Sequence, residues 1–334
     1  MDSELLDTFL SEHEQPAYRT RQIREWLARG ANGYEEMTNL PADLRTALAD
    51  DLPLSTLELT HEALADDGTV KALFHTRDGH PVEAVLMRFR DGRRSICLSS
   101  QSGCPLACTF CATGAMQFRR NLTADEIIDQ ALYFRRSEKL DHAVFMGMGE
   151  PMLNLDSVLE ACDYLPEIGV TPRRTTISTV GWIPGMEAFT ASTESRVRLA
   201  LSLHAPRDDL RSELVPSNDR YPLAEVLAAC RNDAVQRKQK VFIEYVMLAG
   251  VNDSDEEARQ LVALLDRKLF KVNLIPYNPA SVYTGSLPER IDTFRAILRG
   301  GGIGTTIRLT RGRSIDAACG QLAARDLSAA VSTK

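Results

Sequence analysis

Apolar residues recur at helical spacing near the start of the chain and gather later into short, nearly unbroken runs. Leu5, Phe9 and Leu10 share one side of a helix predicted over residues 2–12, and Ile23, Trp26 and Leu27 one side of a second over 21–28. Pro41, in the run Asn39-Leu-Pro-Ala-Asp-Leu-Arg45, suits the first turn of a third helix. Residues 1–55 therefore read as a small helical accessory unit. A β-hairpin extension is expected over residues 56–94, where Val70–Thr76 and Pro81–Arg88 flank the turn Arg77-Asp78-Gly79-His80. A second turn at Arg90–Arg93 leads out of it. From residue 95 to 334 strand-like runs alternate with helical stretches. The runs are SICLSS (95–100), AVFMGM (143–148), TTISTV (175–180), VRLALSLH (197–204), KVFIEYVML (240–248), KVNLIPY (271–277) and GTTIRLT (304–310). The clearest helix, over 124–135, opens with the capping box Thr123-x-x-Glu126. Repeated strand-helix units with apolar strands predict an α/β fold on a parallel sheet, either a barrel or doubly wound.

Polar clusters follow these strands: QSGCPLACTFCATG after the first, GMGEP after the second, then STVG, SLHA and PYNP. In parallel α/β folds the C-terminal strand edge is where chemistry is assembled, and five clusters on one edge favour a barrel-like site. Composition is ordinary for a globular chain, with 44% hydrophobic and 25% charged residues. Thirty-nine basic against 46 acidic residues leave a net charge of −7, which argues against binding nucleic acid through bulk charge and leaves local basic patches as the route. The opening MDSELLDTFLSEHE lacks the pattern of a signal peptide, and no apolar run approaches the ~18–20 residues of a membrane span. The chain thus reads as soluble and cytoplasmic. Seven cysteines, three of them within eight residues, do not form a disulfide framework.

Cys104-x3-Cys108-x2-Cys111 crowds three thiols into one loop. A structural zinc site closes with four ligands and a four-iron cluster also takes four, yet no fourth Cys or His stands nearby. That leaves one iron open to an exchangeable ligand; a zinc knuckle completed by a distant residue is the alternative. With Phe110 as its aromatic, the motif resembles that of the radical S-adenosylmethionine (SAM) superfamily, in which SAM chelates the fourth iron. The resemblance implies a partial (β/α)6 barrel, a 4Fe–4S cluster on Cys104, Cys108 and Cys111, and SAM as cofactor. Gly147-Met-Gly149-Glu150-Pro151 resembles the superfamily's GGEP element, so Gly149 and Glu150 would meet the SAM amino group.

Further runs narrow the resemblance: SSQSGC before the cluster, FRRNLTADE after it, then SLHAPRDDLR, NLIPYNP and IDAACGQL. Together with YRTRQIREWL and MTNLPADLR they resemble the ribosomal RNA adenine-C2 methyltransferases, over nearly the whole chain to Leu322. That family methylates one adenine of 23S rRNA, and many bacterial members also methylate a tRNA adenine; a sister family conferring antibiotic resistance methylates C8 of the same rRNA adenine. The resemblance implies that Ser178, Ser202, Leu203, His204 and Asn278 surround SAM. It implies that Cys319 takes a methyl group by displacement, and that a 5′-deoxyadenosyl radical from a second SAM removes hydrogen from that methyl. The carbon radical would add to C2, Glu83 would accept a proton, and Cys97 would resolve the protein–RNA adduct as a Cys97–Cys319 disulfide. Implied partners are 23S rRNA, tRNA and an electron donor such as flavodoxin or ferredoxin, with a monomeric enzyme and no membrane.

Read alone, Cys97 is equally a small buried hydrophobe and Glu83 a solvent-facing strand carboxylate. Cys319 stands beside Gly320 in a polar, flexible context that suits reactivity. Cys162 and Cys230 sit at apolar helical positions and read as core, and His13, His61, His75, His80 and His142 as surface or structural. Candidate phosphate contacts are Arg88, Arg90, Arg93 and Arg94; Arg119 and Arg120; Arg173 and Arg174; and Arg19, Arg21 and Arg24. One departure stands out. Arg313-Ser314 occupies a place where family members often carry acidic residues, which leaves the chemistry untouched and bears on local RNA contacts and substrate preference.

Overall fold

Three helices lead the chain: α1 (Ser3–Glu12), α2 (Tyr18–Arg29) and α3 (Ala42–Asp51). The buried stripe of α1 is Leu6, Phe9 and Leu10, while Leu5 is 41% exposed. Leu6 precedes Phe9 and Leu10 by three and four residues and so lies at the centre of their stripe, leaving Leu5 at its margin. Ile23 and Leu27 are buried in α2, which Gly30 ends in the left-handed conformation at φ 98°. Pro41 caps α3 from outside its first turn. In the computed structural model residues 1–192 and 196–324 are described.

The extension consists of β1 (Leu57–Leu64), β2 (Val70–Thr76) and β3 (Pro81–Arg88). Sequence pattern missed β1, LELTHEAL, because most of it faces solvent. Antiparallel pairing with β2, from Leu57 opposite Thr76 to Leu64 opposite Val70, fixes it as a strand. The hairpin β2–β3 joins β4 (Arg94–Cys97), with Val85 opposite Cys97, so extension and parallel unit share one sheet, ten-stranded among the described residues.

Beyond β4 comes a two-stranded ribbon, β5 (Gln101–Ser102) with β6 (Arg120–Asn121), followed by α4 (Ala124–Arg135). The capping box at Thr123 and Glu126 is formed as expected. Then strand and helix alternate: β7 (His142–Phe145), α5 (Leu155–Tyr164), β8 (Thr175–Thr179), α6 (Ile183–Ser192) and β9 (Arg198–Ser202). They continue as α7 (Asp208–Leu214), α8 (Leu223–Gln236), β10 (Val241–Met247), α9 (Asp255–Leu264), β11 (Phe270–Pro276), α10 (Pro288–Gly300) and β12 (Thr305–Ile307). The strands stop short of the apolar runs that announced them, since the trailing residues turn into loops.

Strands β4, β7, β8, β9, β10 and β11 are parallel and lie side by side in chain order, and the short β12 adds a seventh. A doubly wound sheet would reverse its order at a switch point; this one does not, as a partial barrel requires. Phe145, Ile177, Leu201, Tyr245, Phe270 and Phe294 are buried in the main core, each removing apolar surface worth about 1.5–3 kcal/mol from water. Cys162 and Cys230 lie in the same core. Among the described residues no helix is long and apolar enough to cross a membrane.

Candidate active site

The cysteine loop leaves the sheet through tightly bonded residues. The Gln130 side chain of α4 accepts the Ser99 N–H at 2.8 Å and donates to the Ser99 carbonyl at 3.0 Å. Asn154 Nδ2 donates to the Ser100 and Leu122 carbonyls, both at 2.8 Å. Against this turn lies the loop after β7, where only glycine fits. A Cβ on Gly147 would stand 2.7 Å from the Leu98 carbonyl oxygen, and one on Gly149, at φ +96°, 2.5 Å from Gln101 Cβ. Close packing of the two loops brings Glu150 to the cysteines.

Cys104, Cys108 and Cys111 line one cavity of about 140 Å³ at the C-terminal strand edge, together with Glu150, Ser178 and Ser202. Burial holds all three thiols above their ordinary range, Cys104 at about 12; neighbouring thiolate charge adds to it, from Cys111 on Cys104, from Cys111 and Cys104 on Cys108, and from Cys319 on Cys111. Deprotonation is therefore stabilised by bound cations. Among the described residues no three ligating side chains close around a single point as one ion would require. A zinc ion holds its sulfurs about 2.3 Å away, whereas a four-iron cluster takes one cysteine per iron and spreads them. Three buried thiols lining one cavity fit a cluster held by three cysteines with its fourth iron left to another ligand.

Glu150 is 3% exposed, and its carboxylate accepts the Met152 N–H at 3.0 Å and the Val180 N–H at 2.9 Å. Burial raises its carboxyl to about 7 despite these donors. An ammonium docked beside it is the partner that would favour its charged form. Because the folded value lies above that of the unfolded chain, its contribution to stability is complete below about 4.5 and lost as the pH rises through about 7. In denaturant unfolding, cluster-free protein is expected to lose about 3 kcal/mol relative to Glu150→Gln between those limits. A difference that does not change with pH would contradict this environment for Glu150.

Ser178 Oγ and Ser202 Oγ lie 3.2 Å apart on adjacent strand ends. His204 lies just past β9 at φ 61°, a left-handed backbone rare for a residue with a Cβ. Its Nδ1 accepts the Val246 N–H at 3.1 Å, so a neutral ring carries its proton on Nε2. Burial, with the neighbouring Arg211 charge, lowers it to about 3 and keeps it neutral. Leu203 packs its side chain into the main core, leaving only its backbone near the site. Asn278 lines a second, smaller cavity with Cys97, Arg308 and Cys319 and has a buried Oδ1 without a hydrogen-bond partner.

Cys319 lines both cavities. Its segment is tied down: Ala112 N–H donates to the Gly320 carbonyl at 2.8 Å, and Thr113 Oγ1 to the Leu322 carbonyl at 2.6 Å. Cys97 is buried at the end of β4 in an apolar cluster with Val85, Met148, Ala317 and Leu322. Glu83 is fully buried on β3, which removes the solvent-facing reading; it lines neither cavity and bonds to the backbone beyond Cys319.

Two further residues of this site went unremarked in the sequence. Arg308 lines both cavities, with Nη1 3.8 Å from Glu244 Oε2, and is surrounded by Cys319, Glu244 and Cys97 as charge neighbours. Glu244, on the apolar strand β10, accepts from Asn273 Nδ2 at 2.8 Å and turns Oε2 inward without a hydrogen-bond partner. A single charge inside an apolar strand run is the signal that marks both.

Most candidate phosphate-binding arginines are engaged internally. Arg88 and Arg94 share Glu138, Arg93 pairs with Asp91, and Arg120 with Asp78 and Glu126. Arg21 meets Glu25, Arg174 meets Asp141, Arg24 donates to Ser3, and Arg19 to Gln22. Arg90, Arg119 and Arg173 are exposed and have no ion pair among the described residues. Arg313, at the departure noted above, donates to the Tyr277 carbonyl at 3.1 Å.

Comparison with known proteins agrees with this geometry. Residues 1–52 match the family model of the ribosomal RNA large subunit methyltransferase N-terminal domain, and residues 98–262 that of the radical SAM superfamily. The chain is 43% identical, over 96% of its length and 92% of the relative's, to a probable dual-specificity RNA methyltransferase RlmN of Thermus thermophilus. It is 41% identical to the dual-specificity RNA methyltransferase RlmN of Marinobacter nauticus, over 96% of this chain and 90% of that one. A radical SAM methyltransferase crystal structure from Sphaerobacter thermophilus superimposes with a TM-score of 0.90 at 44% identity, covering 97% of this chain and 98% of that one. The chain belongs to the RlmN family of dual-specificity RNA methyltransferases, within the radical SAM superfamily.

Proposed function

We propose that the protein transfers a methyl group from SAM to C2 of an adenine in 23S rRNA and of an adenine in tRNA. The observation that carries this reading is the position of Cys319, which lines both the cysteine-lined cavity and the cavity holding Cys97. One sulfur can thereby receive a methyl on one side and be released on the other. Adenine C2 lies between two ring nitrogens and is too electron-poor to attack a sulfonium methyl, so a carrier nucleophile is needed. Cys319 sulfur fills that role: it bonds to the methyl carbon, the sulfonium C–S bond breaks, and the thiol proton leaves.

Cys104, Cys108 and Cys111 would hold a 4Fe–4S cluster, with Gly149, Glu150, Ser178, Ser202, the Leu203 backbone, His204 and Asn278 around SAM. When bound and reduced by a flavodoxin- or ferredoxin-type donor, that assembly supplies one-electron cleavage of a second SAM and so activates the Cys319 methyl. After the carbon joins C2, one electron leaves the resulting radical, for which the oxidised cluster would be the acceptor, and Glu83 takes the C2 proton. The Cys97 thiolate then attacks Cys319 sulfur, forming the disulfide as the S–CH2 bond breaks; its electron pair leaves with the carbon, which takes up a proton to become the methyl group of the released base. RNA must present the adenine unstacked, since a stacked neighbour covers the ring face through which carbon adds to C2. Arg90, Arg119 and Arg173 are the arginines available for phosphate.

Anaerobic protein, reductant, SAM and a 23S rRNA fragment, followed by mass spectrometry of digested nucleosides, test the assignment. The expected product is 2-methyladenosine, in tRNA as well as rRNA. Recovery of 8-methyladenosine would replace the C2 assignment by the C8 one, and no methylated adenosine would remove both.

A further inference from the structure

A buried ion pair outside both cavities holds the segment that carries Cys319. Lys71 on β2 and Glu83 on β3 share one face of the hairpin as diagonal neighbours, Glu83 standing opposite Leu73 and Lys71 opposite Val85. Lys71 Nζ lies 2.9 Å from Glu83 Oε1, and the side chains are 4% and 0% exposed. The pair reaches both ends of the segment 316–324. Lys71 Nζ donates to the Asp316 carbonyl at 3.3 Å, while Glu83 Oε2 accepts the N–H groups of Ala323 at 2.9 Å and Ala324 at 3.0 Å. Asp316 and Ala324 both adopt φ 50°, left-handed conformations that residues with a Cβ keep only where surroundings impose them. Each end of the segment is thus bent at a tether to this pair.

We propose that Lys71 is a positioning residue for Cys319. With Glu83 it forms a latch that seats the segment 316–324 beside the cysteine-lined cavity, and the latch opens before Glu83 takes a proton. The second half rests on the assignment of Glu83 as proton acceptor; the first does not. While the latch is closed, Oε2 takes two backbone donors and Oε1, without a hydrogen bond of its own, is held by the charge of the Lys71 ammonium. Closure matches the stage at which Cys319 receives its methyl. Opening matches the later stage, when the adduct has given up its unpaired electron, the C2 proton passes to the carboxylate and the C–H electron pair returns to the ring. Other tethers reach the middle of the segment: Ala112 N–H and Thr113 Oγ1 donate to the Gly320 and Leu322 carbonyls, Asn278 Nδ2 donates to the Cys319 carbonyl at 3.5 Å, and Gln321 Nε2 donates to the Pro279 carbonyl at 3.2 Å.

Iodoacetamide labelling of Cys319 in anaerobically prepared, cluster-loaded protein, quantified by peptide mass spectrometry, tests the latch. Lys71→Met is expected to speed labelling about tenfold or more with the cluster absorbance retained, and Lys71→Arg to restore protection. Ala323→Pro removes one N–H while leaving the ion pair in place. It is expected to speed labelling in the same direction, which decides the matter should Lys71→Met not fold. Labelling at the unsubstituted rate in Ala323→Pro and in any folded Lys71→Met would overturn the latch. Labelling needs neither RNA nor methyl transfer, so it stands apart from the methyl-carrier assignment, which is read by SAM-dependent mass gain on the Cys319 peptide. Amide exchange of the peptide 319–324 reads the order of events. Faster exchange on binding an rRNA fragment is expected, and protection persisting with RNA bound would overturn the opening step.

Discussion

Cys319→Ala is expected to abolish methyl transfer to RNA, a loss of at least about 10³-fold in the anaerobic assay. The size of the effect follows from the chemistry. Without a carrier sulfur no route joins the sulfonium methyl to an electron-poor ring carbon, and water does not substitute for the missing nucleophile. Cys319 is partly exposed, so its loss costs stability of less than ~1 kcal/mol. The variant should therefore keep its fold, its iron–sulfur absorbance and its affinity for SAM while making no product. Cys230→Ala is the control, because Cys230 is buried in the core and lines neither cavity. Methylated RNA from Cys319→Ala at the unsubstituted rate would remove the methyl-carrier role.

Cys97→Ala is expected to fail differently, stopping after a single turnover with the chain still bonded to RNA. Its methyl group reaches Cys319 and then the base, but no thiol is left to attack the sulfur and release the product. A slow-migrating protein–RNA species on a denaturing gel, stoichiometric with enzyme and sensitive to nuclease, is the measurement. Burial pushes the Cys97 thiol up to about 12, a Cys319 thiolate would raise it further, and the Arg308 guanidinium pulls it down. Unassisted, that thiol is a poor nucleophile, so the proposed resolving step would depend on the cation beside it. Repeated turnover without a covalent species would show that another group resolves the adduct.

Strand positions and the cysteine loop were legible because their signals are local. Apolar runs mark buried parallel strands, a capping box marks α4, and three thiols at fixed spacing mark the loop. Legibility ended where tertiary neighbours decide the outcome. β1 carries little apolar pattern and exists through its pairing with β2. Leu6 displaced Leu5 because the stripe is set by what α1 packs against. Glu83 on β3 looked like any strand carboxylate, since its partners Lys71, Ala323 and Ala324 are fixed only by the folded chain. The arginines were visible, whereas their internal acidic partners were not: Glu138 is 44 residues from Arg94, and Asp78 is 42 from Arg120.

Strand order that follows chain order lets each barrel unit dock on the one made just before it, with short loops to close. The site breaks that rule, because Ala323 and Ala324 reach back across 240 and 241 residues to Glu83. During synthesis the barrel, its cysteine loop and its SAM-facing edge can all form while Cys319 has yet to be added. A chain stalled or cut before that point would carry the apparatus for generating a radical with no methyl acceptor in front of it. Assembly order thus places the segment bearing the proposed methyl carrier after every barrel strand has been made.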